Sequence, residues 1–122
     1  MLRRKMSRDD PYFLCDQKVT VYREKDGKIT RTVYERAFLD FRKNLNVDKS
    51  GSWETNSFLL VIPGEEQAVF VNDRVMLGKG PEIADAAQWK SFLPSSVPGL
   101  VVVKFADPKY LAGKLVHTEA GG

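Results

Sequence analysis

Cysteine and histidine are almost absent: the 122 residues include one of each, Cys15 and His117. A lone cysteine cannot close an intramolecular disulfide, and one Cys with one His cannot complete a zinc site unless carboxylates or a second chain contribute. To act as nucleophile and base the two would have to meet across nearly the whole chain, and nothing beside Cys15 favours a thiolate. Long apolar runs are missing too. The longest, Phe58 to Pro63, has the length of a strand, far short of the roughly 20 residues that cross a bilayer, so no membrane partner is expected. The basic start Met1-Leu2-Arg3-Arg4-Lys5 runs into Met6-Ser7-Arg8-Asp9-Asp10, not into the apolar stretch of a secretory signal, and the cytoplasm is the expected compartment.

Excess charge is scarce outside the first residues. The net charge is +3, from 19 Lys and Arg against 16 Asp and Glu, and Arg3, Arg4, Lys5 and Arg8 crowd four positive charges into the first eight positions. The rest of the chain therefore carries one more acid than base. Residues 1–16 read as a basic arm that is either solvated or lies on nucleic-acid phosphates or an acidic protein surface. A nucleic-acid module spreads its Lys and Arg over the folded body and interleaves exposed aromatics, and the near-neutral body argues against that.

What is present is the material of one core. The hydrophobic content is 43%, with seven Phe, four Tyr and two Trp, too much for a disordered segment, and the length suits a single domain. Val19 and Val21 alternate with Lys18, Thr20 and Tyr22 as in a half-buried strand; Asp26-Gly27 supplies a tight turn, and Ile29 to Tyr34 resumes the alternation. Glu35 to Arg42 fits either a continued strand or a short helix. If it is a strand, Leu39 and Phe41 share one face, and Phe38 and Asp40 the other. Lys43 to Ser52 is rich in turn formers and charge, an exposed loop or hairpin tip. Trp53 to Ile62 ends apolar on both faces, as a central strand does. Ala68 to Val71 and Arg74 to Gly78 read as two short strands around Asn72-Asp73.

Gly80-Pro81 is expected to open one helix from about Glu82 to Phe92. Leu93 to Gly99 is a loop, Leu100 to Phe105 a mostly buried strand, Asp107-Pro108 a turn, and Lys114 to Glu119 a last strand. The tail, residues 120–122, has no evident reason to be ordered. The expected fold class is mainly β: a small antiparallel β-barrel over residues 17–119 with one short helix inserted late.

Candidate chemistry is thin. Asp9-Asp10 and Glu65-Glu66 are adjacent like charges whose side chains diverge, not carboxylates set for acid and base work. Gly78-Lys79-Gly80-Pro81 lacks the Gly-Lys-Ser/Thr ending of a phosphate loop and reads as a strand-to-helix turn. His117 should face solvent or a partner chain, without a nucleophile or base beside it. Phe41, Phe58 and Phe105 are expected in the core, and Trp53 and Trp89, at loop boundaries, as exposed aromatics that mark a protein interface. No catalytic residue, metal or cofactor is expected.

The order of features carries a resemblance. Val19-Thr20-Val21-Tyr22, a hairpin and Thr30 to Tyr34 come first, and a glycine-containing loop leads to Ser57-Phe58-Leu59-Leu60-Val61-Ile62-Pro63. Val71-Asn72-Asp73-Arg74-Val75-Met76-Leu77-Gly78-Lys79-Gly80 follows, and Val101 to Asp107 closes the pattern. This resembles the small minor capsid and head-completion proteins of tailed bacteriophages, the connector or stopper group between portal and tail, over about residues 17–119. The basic arm and the inserted helix depart from the pattern. The resemblance implies a virion protein assembled in the host cytoplasm: a β-barrel subunit in a homo-oligomeric ring of six, stacked beneath the portal and adaptor rings, closing the filled capsid and docking the tail. It brings no catalytic residues. Arg3, Arg4, Lys5, Arg8, Lys43, Lys49, Trp53 and Trp89 are then the interface or DNA-facing candidates, with Lys43 and Lys49 lining a lumen around packaged DNA or the arm lying on an acidic portal surface. An oligonucleotide-binding β-barrel module is the alternative.

Overall fold

The computed structural model describes residues 12–48 and 51–122; the side chains of residues 42–48 and 51–56 lie outside that description. The expected fold class holds. The chain forms seven strands and one short helix: β1 (Gln17–Lys25), β2 (Lys28–Asp48), β3 (Gly51–Pro63), β4 (Arg74–Leu77), α1 (Ala86–Ser91), β5 (Leu100–Val102), β6 (Phe105–Leu111) and β7 (Lys114–Gly121). All strand pairs are antiparallel, in the order β5-β4-β1-β2-β3-β7-β6.

The connectivity forces this sheet to curl. Laid flat, seven strands would separate the two edges, β5 and β6, by about 29 Å. Only Val103 and Lys104 join these edges in the chain, a link that reaches about 11 Å at most. The sheet therefore bends into a half-barrel, and the crossing link is held on both sides. Val103 N–H donates to Asp73 O at 2.8 Å, Asn72 N–H to Val103 O at 2.8 Å, and Lys104 N–H to Gly121 O at 2.8 Å. The run Leu100 to Phe105, expected as one strand, is thus broken where it passes from one edge to the other.

β2 makes the bend possible. Its first half pairs with β1 through Ala37, and its second half pairs with β3 from Phe38 onward. The stretch Glu35 to Arg42 is thus a continued strand. At the start of β1 a register shift lies between Gln17 and Val19, and the Gln17 side chain accepts the Leu39 N–H at 2.8 Å, satisfying a donor that the β1 backbone does not reach. The first hairpin turns at Asp26 and Gly27, whose φ values of 53° and 81° are those of a tight turn with both central residues left-handed.

Two apolar clusters result. Val19, Val21, Ala37, Leu39, Leu60, Ile62, Val69, Val75 and Val103 fill the barrel interior. Tyr22, Phe92 and Leu100 form a second cluster with Met76, Ile83, Trp89 and Val97, where the excursion from Gly78 to Gly99 folds over β1, β4 and β5. The half-buried reading of β1 is corrected by this cover, because Thr20 and Tyr22 are buried along with Val19 and Val21. Thr20 Oγ1 donates to Gly78 O at 2.7 Å and accepts from Gly80 N–H at 2.8 Å, and Tyr22 donates to Pro81 O at 2.6 Å.

Those bonds also displace the start of the helix. Gly80 O accepts from Arg31 Nε and Nη2, so residues 80–81 are held by β1 and β2 and do not open a helix. Asp85 is the N-cap instead, accepting from Gln88 N–H at 2.8 Å, while Gln88 Oε1 accepts from Ala84 N–H at 2.6 Å. Other expectations are corrected as well. Ala68 to Val71 is not a strand; Ala68 N–H donates to Thr118 Oγ1 and Phe70 N–H to Asp73 Oδ2. Asp107-Pro108 is not a turn but part of β6, an edge strand whose outward side needs no N–H from proline; the turn is Ala112-Gly113, with φ values of 52° and 80°. The tail is ordered: Ala120 is buried, and Ala120 and Gly121 pair with Leu60 and Leu59 of β3.

Candidate functional site

The sequence-derived candidates scatter. Arg3, Arg4, Lys5, Arg8 and Lys49 lie outside the described residues. Lys43 pairs in register with Asn56, and Trp53 with Asn46, on the distal part of the β2–β3 hairpin. That part is a two-stranded ribbon. β1 leaves β2 at Ala37 and β7 pairs β3 only from Leu59, so among the described residues no third strand pairs with Arg42–Asp48 or with residues 51–57. The seven strand residues Arg42–Asp48 span about 20 Å.

Trp89 is not the free exposed aromatic expected. It packs into the second cluster, and the Arg74 guanidinium stacks on its ring at 3.7 Å. Arg74 Nη1 also donates to the carbonyls of Trp89 at 2.6 Å and Phe92 at 2.7 Å, closing the C-terminal end of α1. Burial holds this guanidinium below the usual arginine value, with Glu24 opposing the shift.

Arg74 lines one wall of a surface cavity of about 480 Å³, together with Arg23, Glu24, Lys25, Phe70 to Asp73 and Trp89. On the other side Arg23 stacks on Phe70 at 4.2 Å and grips Asp73 with Nε at 2.9 Å and Nη2 at 2.7 Å. Asp73 is 2% exposed and accepts the Phe70 N–H as well, so it is a fully engaged buried carboxylate. Hydrogen bonding to Asp73 raises the Arg23 pKa above its ordinary value, burial opposing. Asn72, at φ 77°, makes the left-handed turn that puts Asp73 below Phe70. In the sequence Asn72-Asp73 reads only as a turn. Arg23 lies 50 residues away, and no local pattern ties the two together.

A second cavity, about 510 Å³ and more apolar, opens at the barrel mouth between Phe41, Phe58, Pro94, Pro98, Leu100 and Lys104. Phe41 faces the interior side with Leu39 but sits at this mouth, 45% exposed, and Phe105 is 50% exposed on β6. Only Phe58 of the three expected core phenylalanines is buried.

His117 is partly buried, its side chain 18% exposed. Its Nδ1 lies 2.7 Å from the Tyr12 hydroxyl and its Nε2 2.9 Å from Glu119 Oε2, and the two rings meet edge to face. One tautomer satisfies both bonds: Tyr12 donates to Nδ1 while Nε2–H donates to Glu119. This ties the start of the described chain to β7. Among the described residues no three His, Cys, Asp or Glu side chains converge as a metal would require, and no helix is long and apolar enough to cross a membrane. Comparison with protein-family models, with curated proteins and with solved structures finds no match to this chain.

Proposed function

We propose that this chain is a structural subunit of the connector between head and tail of a tailed bacteriophage, acting as a head-completion or stopper ring. The observation that carries the reading is the two-stranded arm. An isolated ribbon is marginal in water, and it becomes stable when a third strand or another surface covers it. A neighbouring subunit supplies that cover in a ring, and stacked rings supply surfaces for its tip. The curled body fits the same role. It ends in two strand edges, β5 and β6, and β6 exposes Phe105, Tyr110 and Leu111. Exposed apolar side chains on an unpaired edge are a liability for a monomer and a contact for a repeated subunit.

In this reading six copies close the ring, the portal or adaptor ring sits on one face and the tail on the other. Lys43 and Lys49 of the arm approach packaged DNA, and Arg3, Arg4, Lys5 and Arg8 reach an acidic neighbour or the DNA. Trp53 anchors the arm on the adjacent subunit. Removing the gene from the phage or prophage that carries it is the test. DNA-filled heads that leak their genome and fail to join tails are expected; tailed, infectious particles would refute the reading.

The rings of Phe41, Phe105 and Tyr110, exposed on strands, favour a second reading, a barrel on which single-stranded bases stack. It expects the purified chain to bind labelled oligo(dT) with an affinity that falls steeply between low and moderate salt. A connector subunit is expected to show little such binding.

A further inference from the structure

We propose that the cavity between Phe70 and Trp89 docks an acidic peptide segment of a partner protein, with one carboxylate received by the Nε/Nη2 edge of Arg74. Two arginines line this cavity and their circumstances differ. Arg23 is neutralised by the buried Asp73 at 2.7 Å. Arg74 has no ion pair among the described residues, and of its donors only Nη1 has partners, the two carbonyls at the end of α1. The Nε–H and both Nη2–H groups remain, and they form the fork that matches a carboxylate with two parallel bonds.

The guanidinium is already fixed. Stacking on Trp89 at 3.7 Å and two short carbonyl bonds hold it in one orientation, so binding costs little further ordering of this side chain. The remaining charges on the cavity wall, Lys25 and Glu24, are equal and opposite, and Glu24 Oε1 is occupied by the Gly27 N–H. The wall as a whole, Arg23, Lys25 and Arg74 against Glu24 and Asp73, keeps a surplus of one positive charge, and Glu24 acts on Arg74 without a salt bridge to it. The exposed Phe70 and Val71 beside it suit the apolar side chains that flank a carboxylate in a peptide. The volume of about 480 Å³ holds a few side chains. A nucleic-acid strand fits less well, because a single fork with two carboxylates close by offers no track for successive phosphates. A chain that never enters a ring would still carry this site, so it stands apart from the connector reading.

The test uses the full chain with Trp53→Phe, which leaves Trp89 as the single tryptophan reporter. A peptide alternating Glu and Leu, its Gln-for-Glu counterpart and a thymidine hexanucleotide are titrated at low salt. The Glu peptide is expected to change the Trp89 emission saturably and to bind at least about tenfold more tightly than the Gln peptide. In wild-type protein the Nε–Hε resonance of Arg74 should shift with the same affinity, a readout that needs no variant. Arg74→Lys keeps the charge and loses the fork, and should weaken the Glu peptide about tenfold. Equal binding of the Gln peptide, an unmoved Arg74 resonance, or tighter binding of the hexanucleotide would overturn the assignment.

Discussion

Gly121→Ala is the sharpest test of how the barrel closes. Gly121 stands opposite Phe105 on β6 and Leu59 on β3, and its carbonyl takes the Lys104 N–H of the crossing link. A Cβ at this position would lie 2.6 Å and 2.7 Å from two carbons of the Phe105 ring and 2.7 Å from the Phe58 carbonyl oxygen. The ring is 50% exposed and can swing away; the carbonyl belongs to the backbone of β3 and cannot without moving the strand. The expected cost is about 2 kcal/mol, in the range of overpacked cores. For a chain of this size that is roughly 6–10 °C in melting temperature.

Thermal melting followed by circular dichroism measures it, and a double-mutant cycle divides it. Phe105→Ala removes the ring contact and leaves the carbonyl contact. If the carbonyl dominates, the two substitutions are additive; if the ring dominates, Phe105→Ala recovers most of the loss. A Gly121→Ala protein that melts within about a degree of wild type would mean that β7 does not pass between β3 and β6 as described.

Asp73→Ala should destabilise by about 2–3 kcal/mol, less than a fully buried pair because Arg23 is one-third exposed, and Asp73→Asn by about half, since the amide oxygen still accepts the Phe70 N–H; urea unfolding separates them. Gly80→Ala would drive a methyl group into the Tyr22 hydroxyl and should cost about 2 kcal/mol, with Tyr22→Phe in the same chain recovering part because the hydroxyl is the atom struck. Burial raises the Tyr22 and Tyr34 pKa values above the tyrosine value of about 10. Their folded neutral forms therefore contribute stability that is full below pH 10 and lost as pH rises through the raised values; tyrosinate absorbance should lag free tyrosine until an alkaline unfolding transition. Replacing residues 44–54 by a two-residue turn should leave the melting temperature nearly unchanged, because only the ribbon is removed, and should abolish incorporation into particles.

The first hairpin was legible because Asp26-Gly27 and the flanking alternation are local signals. The barrel class followed from short strands with one helix. What stayed hidden depends on distant partners. Nothing near Gly80-Pro81 announces that Tyr22 and Arg31 will hold these carbonyls, so the local pattern points to a helix start at Glu82, four residues before the true one at Ala86. Pro108 reads as a turn until its strand is known to be an edge. Ala120-Gly121 reads as tail because small residues carry no burial signal, and yet Gly121 is small so that Phe105 can cross it. The Arg74 cavity was out of reach for the same reason, since it joins β1, the turn before β4 and the end of α1. Lys43, Lys49, Trp53 and the basic arm stand out by charge and aromaticity alone, and they belong to the functional proposal.

The measurement that bears most directly on that proposal is the copy number of this chain in purified particles from the phage or prophage that carries its gene, by quantitative mass spectrometry against the portal protein. The connector reading expects one ring per particle, six copies for each portal assembly. Particles that are complete and lack the chain altogether would contradict it.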